Sequence, residues 1–205
     1  MIRADQALLA LGTACLVGAG TTLLLSHPPG VSGPPSAVTR MGPAPATAVR
    51  VTATHATPLR LRIPAIRVDR PLVELGRTRT GALATPPLAE ADTPGWYRGS
   101  PAPGDRGPAV ITGHVDSRSG PAVFWNLSTL RPGQRITVVR SDHRTALFRI
   151  TRVQAFPKAS FPTDAVYAPV GYAGLRLITC GGPYDATRGG YQDNTIVFAR
   201  LVRFG

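Results

Sequence analysis

The sequence predicts a mainly β domain, a closed or nearly closed β-barrel with one or two short helices, behind an N-terminal transmembrane helix. Short apolar or alternating runs recur between turn residues, and this spacing is typical of small barrels. The segment 141–144 (SDHR) is a predicted hairpin turn, and only Ala122–Leu130 has a helical pattern. The predicted strands are Leu59–Ile63, Pro108–Val115, Arg135–Arg140, Ala146–Val153, Gly174–Thr179 and Thr195–Val202.

The start of the chain is expected to be a membrane anchor. The segment Ala7–Leu25 holds 19 residues without a charge, which as a helix nearly spans a hydrocarbon core of about 30 Å. Arg3 before it favours an N-terminus inside the cell. We therefore expect a single-pass anchor at residues 1–27 in the cell membrane and a folded extracellular domain at residues 59–205. A cleaved signal peptide is the alternative.

Residues 28–58 are expected to form a disordered tether. Seven prolines lie between Pro28 and Pro58, among small and polar residues. Such a composition buries too little apolar surface to offset the entropy lost when the chain becomes ordered. The predicted tether lifts the domain off the bilayer.

The chain is strongly basic, with 23 lysines and arginines against 11 acidic residues and a formal net charge of +12. Such an excess suits an anionic membrane, a wall polymer or nucleic acid. Almost all of the cations are arginines scattered singly, without zinc-finger spacing or an aromatic RNA-binding signature, so we expect no nucleic-acid partner. A wall- or membrane-facing surface and a genome that favours arginine codons explain the charge equally well.

Cysteine usage indicates one thiol of interest. Cys15 lies in the apolar segment, and Cys180 is the only cysteine in the remaining chain. Extracellular domains usually pair their cysteines or omit them, so a lone one is either buried and inert or kept for its chemistry. One cysteine and one histidine are too few ligands for zinc, and we expect no metal site.

Two apolar strands end in a residue that can react: Cys180 follows Leu177–Thr179, and His114 follows Ile111–Gly113. A neighbouring imidazole is the usual means of activating a thiol, and the glycines beside both residues leave room for a substrate backbone. The alternative is a satisfied core histidine and an inert cysteine. The other histidines lie beside the anchor, in the tether and in the hairpin turn: His27, His55 and His143.

The segments ITGHVDS and LITCGG, with GWYRGSPAPGDRGPAV before the first and YQDNTIVFARLV after the second, resemble a sortase. The resemblance covers about Leu59 to Val202, is strongest with the class F sortases of actinobacteria, and includes FPTDAVY before the cysteine strand. It implies an eight-stranded β-barrel that cleaves a Leu-Pro-x-Thr-Gly-like sorting signal between Thr and Gly. It also implies a thioester on Cys180, resolved by an amine of a peptidoglycan precursor or a pilin lysine, with His114 as acid and base and no cofactor.

In that family a third catalytic residue, an arginine, stands near the start of the strand after the cysteine. Counting back from Ile196–Ala199, that place holds Asn194 or Gln192, and the nearest arginine of the intervening loop is Arg188. An arginine fork can hold the developing oxyanion. We take Arg188 as the third catalytic candidate, with a solvated loop residue as the alternative.

Three further residues are candidates for contact with the substrate: Asp116, Thr179 and Trp96. Asp116 either orients the imidazole or caps a turn, and Thr179 either offers a donor beside the thiol or is an ordinary strand residue. Four aromatic residues either line a peptide groove or pack in the core. They are Trp96, Tyr97, Phe124 and Trp125.

Two other functions remain open from the sequence. Another cysteine acyl-transferase of the wall, such as an L,D-transpeptidase, would show a Ser-x-Gly-Cys type of motif, where this chain has Ile-Thr-Cys-Gly. A non-catalytic wall-binding module would keep the barrel without the activity, and the missing arginine is its best support.

Overall fold

The computed structural model of the chain describes residues 56–205, which form eleven strands and one short α-helix, α1 (Thr163–Tyr167). The predicted anchor and almost all of the predicted tether lie outside the described residues. The strands are β1 (Pro58–Ile63), β2 (Val68–Pro71), β3 (Val73–Leu75), β4 (Gly95–Tyr97), β5 (Gly107–Thr112), β6 (Asp116–Ser117), β7 (Gly120–Pro121), β8 (Arg135–Arg140), β9 (Thr145–Pro157), β10 (Ala173–Asp185) and β11 (Gly190–Phe204). Short 3-10 helices cover Pro64–Ile66, Leu88–Glu90, Leu127–Thr129, Lys158–Ser160 and Ala186–Arg188. No helix within residues 56–205 is long and apolar enough to cross a bilayer.

Nine strands form one sheet in the order β2-β1-β8-β9-β11-β10-β5-β4-β3, and β6 and β7 form a separate ribbon. Neighbouring strands of the sheet are antiparallel except for the β5–β10 and β3–β4 pairs, which are parallel. The sheet curls into a nearly closed barrel, which confirms the prediction of a mainly β, barrel-like fold. The resemblance implied eight strands, and the main sheet of the described residues has nine, with the short strands β2 and β3 at its two edges.

The inner side of the sheet forms the larger core. Successive residues of a strand point to opposite sides, and the inward positions of β8 and β9 are fully buried, for example Ile136, Val138, Phe148 and Ile150. Their neighbours along the chain are exposed or half-buried. Buried and more exposed residues therefore alternate along both strands, with one side of each strand in the core and the other towards solvent.

A second apolar cluster lies on the outer side of β5, β10 and β11. Val110, Ile178, Ile196 and Phe198 pack there with Val166 of α1. β5 and the first half of β10 are thus buried on both sides, which explains why both appear as continuous apolar runs rather than alternating ones. This doubly buried pair of strands is the rigid support of the site described below.

The one predicted helix is largely irregular. In Ala122–Leu130 only Leu127–Thr129 forms a 3-10 turn, and the α-helix lies instead at Thr163–Tyr167. The buried side chains Phe124, Leu127 and Leu130 are spaced three apart, which is the period of a 3-10 helix rather than of an α-helix. The predicted hairpin turn is present, with His143 at a positive φ of 61°.

Candidate active site

The two strands that carry the candidate catalytic residues lie side by side and run in the same direction. The parallel pairing of β5 with β10 ends at Thr112 and Ile178. Beyond it, the backbone N–H of Gly113 still donates to the carbonyl of Ile178 at 3.2 Å. His114 and Cys180 each follow the last pair by two residues, so the register brings both to the same end of the sheet.

Cys180 is a half-buried free thiol in an open cleft of about 270 Å³. An electrophile can reach its sulfur, because the thiol is not sealed among aliphatic side chains. Among residues 56–205 no three His, Cys, Asp or Glu side chains lie close enough together to hold a metal ion. The other residues that line the cleft are Val115, Phe124, Trp125, Ser128, Thr179, Gly181, Gly182, Tyr191 and Thr195.

His114 is oriented by the connection between β3 and β4. Its Nε2 lies 2.7 Å from the carbonyl oxygen of Pro86, and its own carbonyl accepts from the N–H of Phe124 at 2.9 Å. A carbonyl can only accept, so Nε2 carries the proton and Nδ1 is the nitrogen left to take up or release one. Pro86, which is buried, thus holds the ring in the way that the sequence suggested for Asp116.

Thr179 fastens the two strand ends together. Its side chain is buried, and Oγ1 donates to the carbonyl of Gly113 at 2.9 Å. The hydroxyl proton is therefore committed to the neighbouring strand rather than to a substrate. Thr179 still borders the cleft beside Cys180, so its contribution to the site is to hold the ends of β5 and β10 in register.

Asp116 bonds to Tyr191 rather than to the His114 ring. Tyr191 Oη donates to Asp116 Oδ2 at 2.6 Å, which joins the segment after β5 to β11 across the cleft. This hydrogen bond is the largest cause that raises the pKa of Tyr191 to about 12. Tyr191 could not be predicted from the sequence, because only the pairing of β10 with β11 brings it into the cleft that Cys180 lines.

We expect an alkaline absorbance titration to resolve one tyrosine with a pKa of about 12, above the usual value of about 10. Because the folded-state pKa is raised, the stability that this hydroxyl contributes is complete below the unfolded pKa and is lost as the pH rises through the folded one. The Asp116→Asn variant should lower this pKa, and Tyr191→Phe should remove the transition. A titration that Asp116→Asn leaves unchanged would contradict the assignment.

The glycines beside the two candidates are required by the packing of the protein itself. A Cβ on Gly113 would lie 2.7 Å from side-chain atoms of both Phe124 and Val123, and one on Gly181 would lie 2.6 Å from Thr195 Oγ1. Contacts this short force the neighbours to move. These glycines were predicted to leave room for a substrate backbone, and the structure adds a steric reason within the chain.

The Gly113→Ala variant should lower the free energy of unfolding by about 1–3 kcal/mol, because the added methyl group overpacks a buried site. Chemical denaturation measures the change. The matched control is Gly76→Ala, whose Cβ would meet only Arg98 side-chain atoms, at 3.6 Å or more. Equal free energies of unfolding for the two variants would show that the end of β5 accommodates a methyl group at Gly113 without loss of stability.

The structure separates the three candidates for the third catalytic position. Asn194 lies directly opposite Cys180 in the antiparallel β10–β11 pair. Arg188 is exposed in the 3-10 turn at the tip of that hairpin, past Asp185, where β10 ends. Gln192 Nε2 donates to the carbonyl of Gly190 at 2.5 Å. Among the described residues that line the cleft there is no arginine.

The aromatic candidates divide between core and cleft. Trp96 is 5% exposed and packs in the inner core, where Nε1 donates to the carbonyl of Pro101 at 3.2 Å. The predicted contact of Trp96 with substrate is therefore replaced by a core position, which is the usual place of a large ring. Phe124 is fully buried in the inner core and also borders the cleft, whereas Trp125 lines the cleft and is 47% exposed.

A second groove, of about 330 Å³, lies on the outer side of the sheet. Its apolar lining is made by Leu83, Tyr97, Phe161 and Tyr167, which also pack against the outer cluster that contains Ile178. Ile178 and the catalytic candidate two residues later lie on the same side of β10. The groove therefore borders the outer side of β10, the side on which Cys180 lies.

Comparisons with known proteins agree with this fold. A sortase-domain family model matches residues 61–202. No curated protein sequence matches the chain. Similar solved structures include sortase C-1 from Actinomyces oris, which is 26% identical with a TM-score of 0.54 and coverage of 70% of this chain and 73% of that one. Sortase A from Corynebacterium diphtheriae is 22% identical, with a TM-score of 0.55 and coverage of 72% and 61%.

Streptococcus agalactiae sortase C1, in complex with MTSET, is 18% identical, with a TM-score of 0.54 and coverage of 71% of this chain and 67% of that one. The chain thus spans about two thirds of the length of these solved proteins. At 18% and 22% identity, the likeness to the Streptococcus and Corynebacterium structures is evidence for the fold alone.

Proposed function

The chain belongs to the sortase family, and from that premise we propose that it is a cysteine transpeptidase with Cys180 as nucleophile and His114 as proton carrier. One observation carries the proposal. The parallel β5–β10 pair brings His114 to the strand end where the free thiol of Cys180 borders an open cleft. A thiol as nucleophile and an imidazole as general acid and base are the groups that acyl transfer through a thioester requires.

In the proposed reaction the Cys180 thiolate attacks the carbonyl carbon of threonine in a Leu-Pro-x-Thr-Gly-like sorting signal. The C–N bond to glycine breaks, and the leaving amine takes a proton from the imidazolium of His114. This leaves a thioester on Cys180. An incoming amine attacks the thioester and gives a proton to His114, and the C–S bond breaks to restore the thiolate.

The oxyanion of each tetrahedral intermediate needs hydrogen-bond donors. Asn194 lies across from Cys180 on the neighbouring strand, so its amide is the closest by register of the three candidates for the third position. Arg188 lies at the tip of the β10–β11 hairpin, beyond the last residue of β10. We expect Asn194→Ala to lower the rate of acylation more than Arg188→Ala does.

The second groove provides a place for the apolar part of the signal. Leu83, Tyr97, Phe161 and Tyr167 present apolar surface, which suits the Leu-Pro portion of a sorting signal. Arg77 Nε donates to Tyr97 Oη at 2.7 Å and fixes that ring. A peptide seated there continues along the outer side of β10 towards Cys180.

The partners and the location are part of the same proposal. The substrates are secreted proteins with a sorting signal, and the acceptor is an amine of a peptidoglycan precursor or of a pilin lysine. The enzyme acts outside the cell, held to the membrane by the segment at residues 1–27, as a sortase of class F. The acyl transfer needs no metal or organic cofactor.

The test is capture of the acyl-enzyme. The full chain is mixed with a panel of Leu-Pro-x-Thr-Gly-like peptides, and intact-mass spectrometry follows an adduct on Cys180 before and after hydroxylamine is added. We expect a peptide-dependent adduct that the added amine releases as the acyl product. Absence of any adduct across the panel, with a folded chain, would refute the proposed enzyme.

A non-catalytic wall-binding module is the second candidate, and the cleft without arginine supports it. Such a module would bind wall fragments, and its thiol would form no adduct. An L,D-transpeptidase has less support, because Cys180 follows Ile178 and Thr179 instead of a Ser-x-Gly motif. A peptidoglycan stem tetrapeptide in the same assay separates this candidate from the sortase.

A further inference from the structure

Five exposed arginines share the outer side of three neighbouring strands, β8, β9 and β11. Arg149 lies directly opposite Arg135 on one side and Arg200 on the other. Directly opposed residues of an antiparallel pair project from the same side of the sheet, so these three guanidinium groups form one row. The set, called the arginine face below, consists of Arg135, Arg149, Arg152, Arg200 and Arg203.

Two bulges complete the arginine face. β9 and β11 each have two arginines three positions apart, which a regular strand would place on opposite sides of the sheet. On β9 the pairing skips Thr151, and on β11 it skips Val202. A bulge of this kind turns the next side chain to the other side. Each bulge therefore adds one arginine to the arginine face.

Within residues 56–205, no carboxylate forms an ion pair with an arginine of the arginine face. β8, β9 and residues 194–204 of β11 contain no Asp or Glu. Arg152 stacks instead on the Phe198 ring at 4.0 Å, and Arg200 on the Tyr172 ring at 4.5 Å. In the described part of the chain, the arginines that form ion pairs are Arg60, Arg62, Arg70 and Arg140.

An uncompensated row of opposed arginines is unfavourable in the free protein. Like charges directly across a strand pair destabilise the sheet, and here one arginine repels two neighbours. An external anion removes that repulsion. The arrangement is therefore better explained by an anionic partner than by the requirements of the fold.

We propose that the arginine face docks on a bilayer surface that contains anionic phospholipids. Adjacent strands lie about 4.8 Å apart and alternate residues about 7 Å apart, so the cations form a two-dimensional array rather than a cup for one ligand. Val202 is 50% exposed beside them and offers an apolar side chain to the headgroup layer.

The length of chain before the domain allows this docking. The 30 residues from Ser26 to His55 separate the uncharged segment from the first described residue, and at about 3.3 Å per residue they can span roughly 100 Å. The domain can therefore turn this face to the bilayer in which the predicted anchor lies. The proposal does not depend on the proposed catalysis.

The test uses the full chain with Cys15→Ser, Cys180→Ala and Thr137→Cys, labelled with a fluorophore at position 137. Thr137 lies on the outer side of β8, two residues from Arg135. Vesicles of phosphatidylcholine, alone or mixed with phosphatidylglycerol, carry a headgroup quencher. We expect quenching that requires phosphatidylglycerol and that salt reverses. A label at Ser119→Cys, in the β6–β7 turn, should be quenched far less.

Two triple variants with equal charge separate the arginine face from bulk charge. R135Q/R149Q/R200Q removes the row, and R67Q/R79Q/R118Q removes three exposed arginines from strand connections. Each arginine near an anionic surface changes the ratio of docked to free domain about fivefold, so the first variant should lower it roughly a hundredfold. The R67Q/R79Q/R118Q variant should change the ratio of docked to free domain little. The melting temperature of the first variant should be unchanged or higher.

Equal quenching in both kinds of vesicle, or equal loss in the two triple variants, would overturn the proposal. So would binding of soluble inorganic polyphosphate that requires the arginine face, in the absence of lipid-dependent quenching. That result would assign the face to a phosphate polymer. Because the tested chain carries Cys180→Ala, failure here leaves the proposed transpeptidase untouched, and failure of the acyl-enzyme test leaves the docking untouched.

Discussion

The Cys180→Ala variant should lose cleavage of every sorting-signal peptide, by at least about a thousandfold, because the sulfur that is proposed to form the acyl-enzyme is absent. Cys180 is the only free thiol in the described residues, and it borders the open cleft. The change removes one sulfur atom from a half-buried position and leaves the strand pairing intact. The measurement is peptide cleavage followed by chromatography, with circular dichroism to verify the fold.

The matched control for this variant is Cys15→Ser, which removes the only other cysteine of the chain. It should keep the wild-type rate. Cleavage that survives in Cys180→Ala would mean that another nucleophile, or water alone, attacks the signal. The thioester mechanism would then be abandoned.

The His114→Asn variant should slow the same reaction about 10²–10⁴-fold, the usual contribution of a general acid and base. The ring is held through Nε2 by the carbonyl of Pro86, which leaves Nδ1 to exchange protons. The variant should also slow alkylation of Cys180 by iodoacetamide at neutral pH, because the proposed imidazole partner of the thiol is absent. Rates of cleavage and of alkylation are measured across pH.

The matched control is His143→Asn, in the hairpin turn between β8 and β9. His143 has a positive φ of 61°, a conformation that asparagine tolerates well, so this variant should keep the fold and both rates. If His114→Asn alkylates as fast as wild type at every pH, the imidazole does not activate the thiol. His114 would then have a structural role at the strand end.

Much of the barrel could be predicted from local patterns. Alternation in β8 and β9 reports a strand with one side in the core, and the apolar runs of β5 and β10 report burial on both sides. The segment from Ala122 to Leu130 misled the prediction, because its buried residues follow a three-residue period that an apolar count does not distinguish from a helix. The full length of β9 and β10 was also not predicted, because their C-terminal ends contain residues typical of turns, Pro157 in β9 and Gly181 to Pro183 in β10.

The candidate site was predictable only in part. A reactive residue at the end of an apolar strand can be found in the sequence, and both Cys180 and His114 were found in this way. The partners of the site could not be found, because their positions depend on pairing between distant segments. Pro86 meets His114 from 28 residues away, and Tyr191 meets Asp116 from 75 residues away.

The sequence by itself determined which residues can do chemistry and which sides of the strands are apolar, since side-chain type and periodicity are local properties. Only the tertiary structure decided which residues meet. The parallel register of β5 and β10 aligns the ends that carry His114 and Cys180, and the β10–β11 register puts Asn194 rather than Arg188 across from the thiol. Register is decided by the packing of both sides of the sheet at once, and that packing exists only in the folded chain.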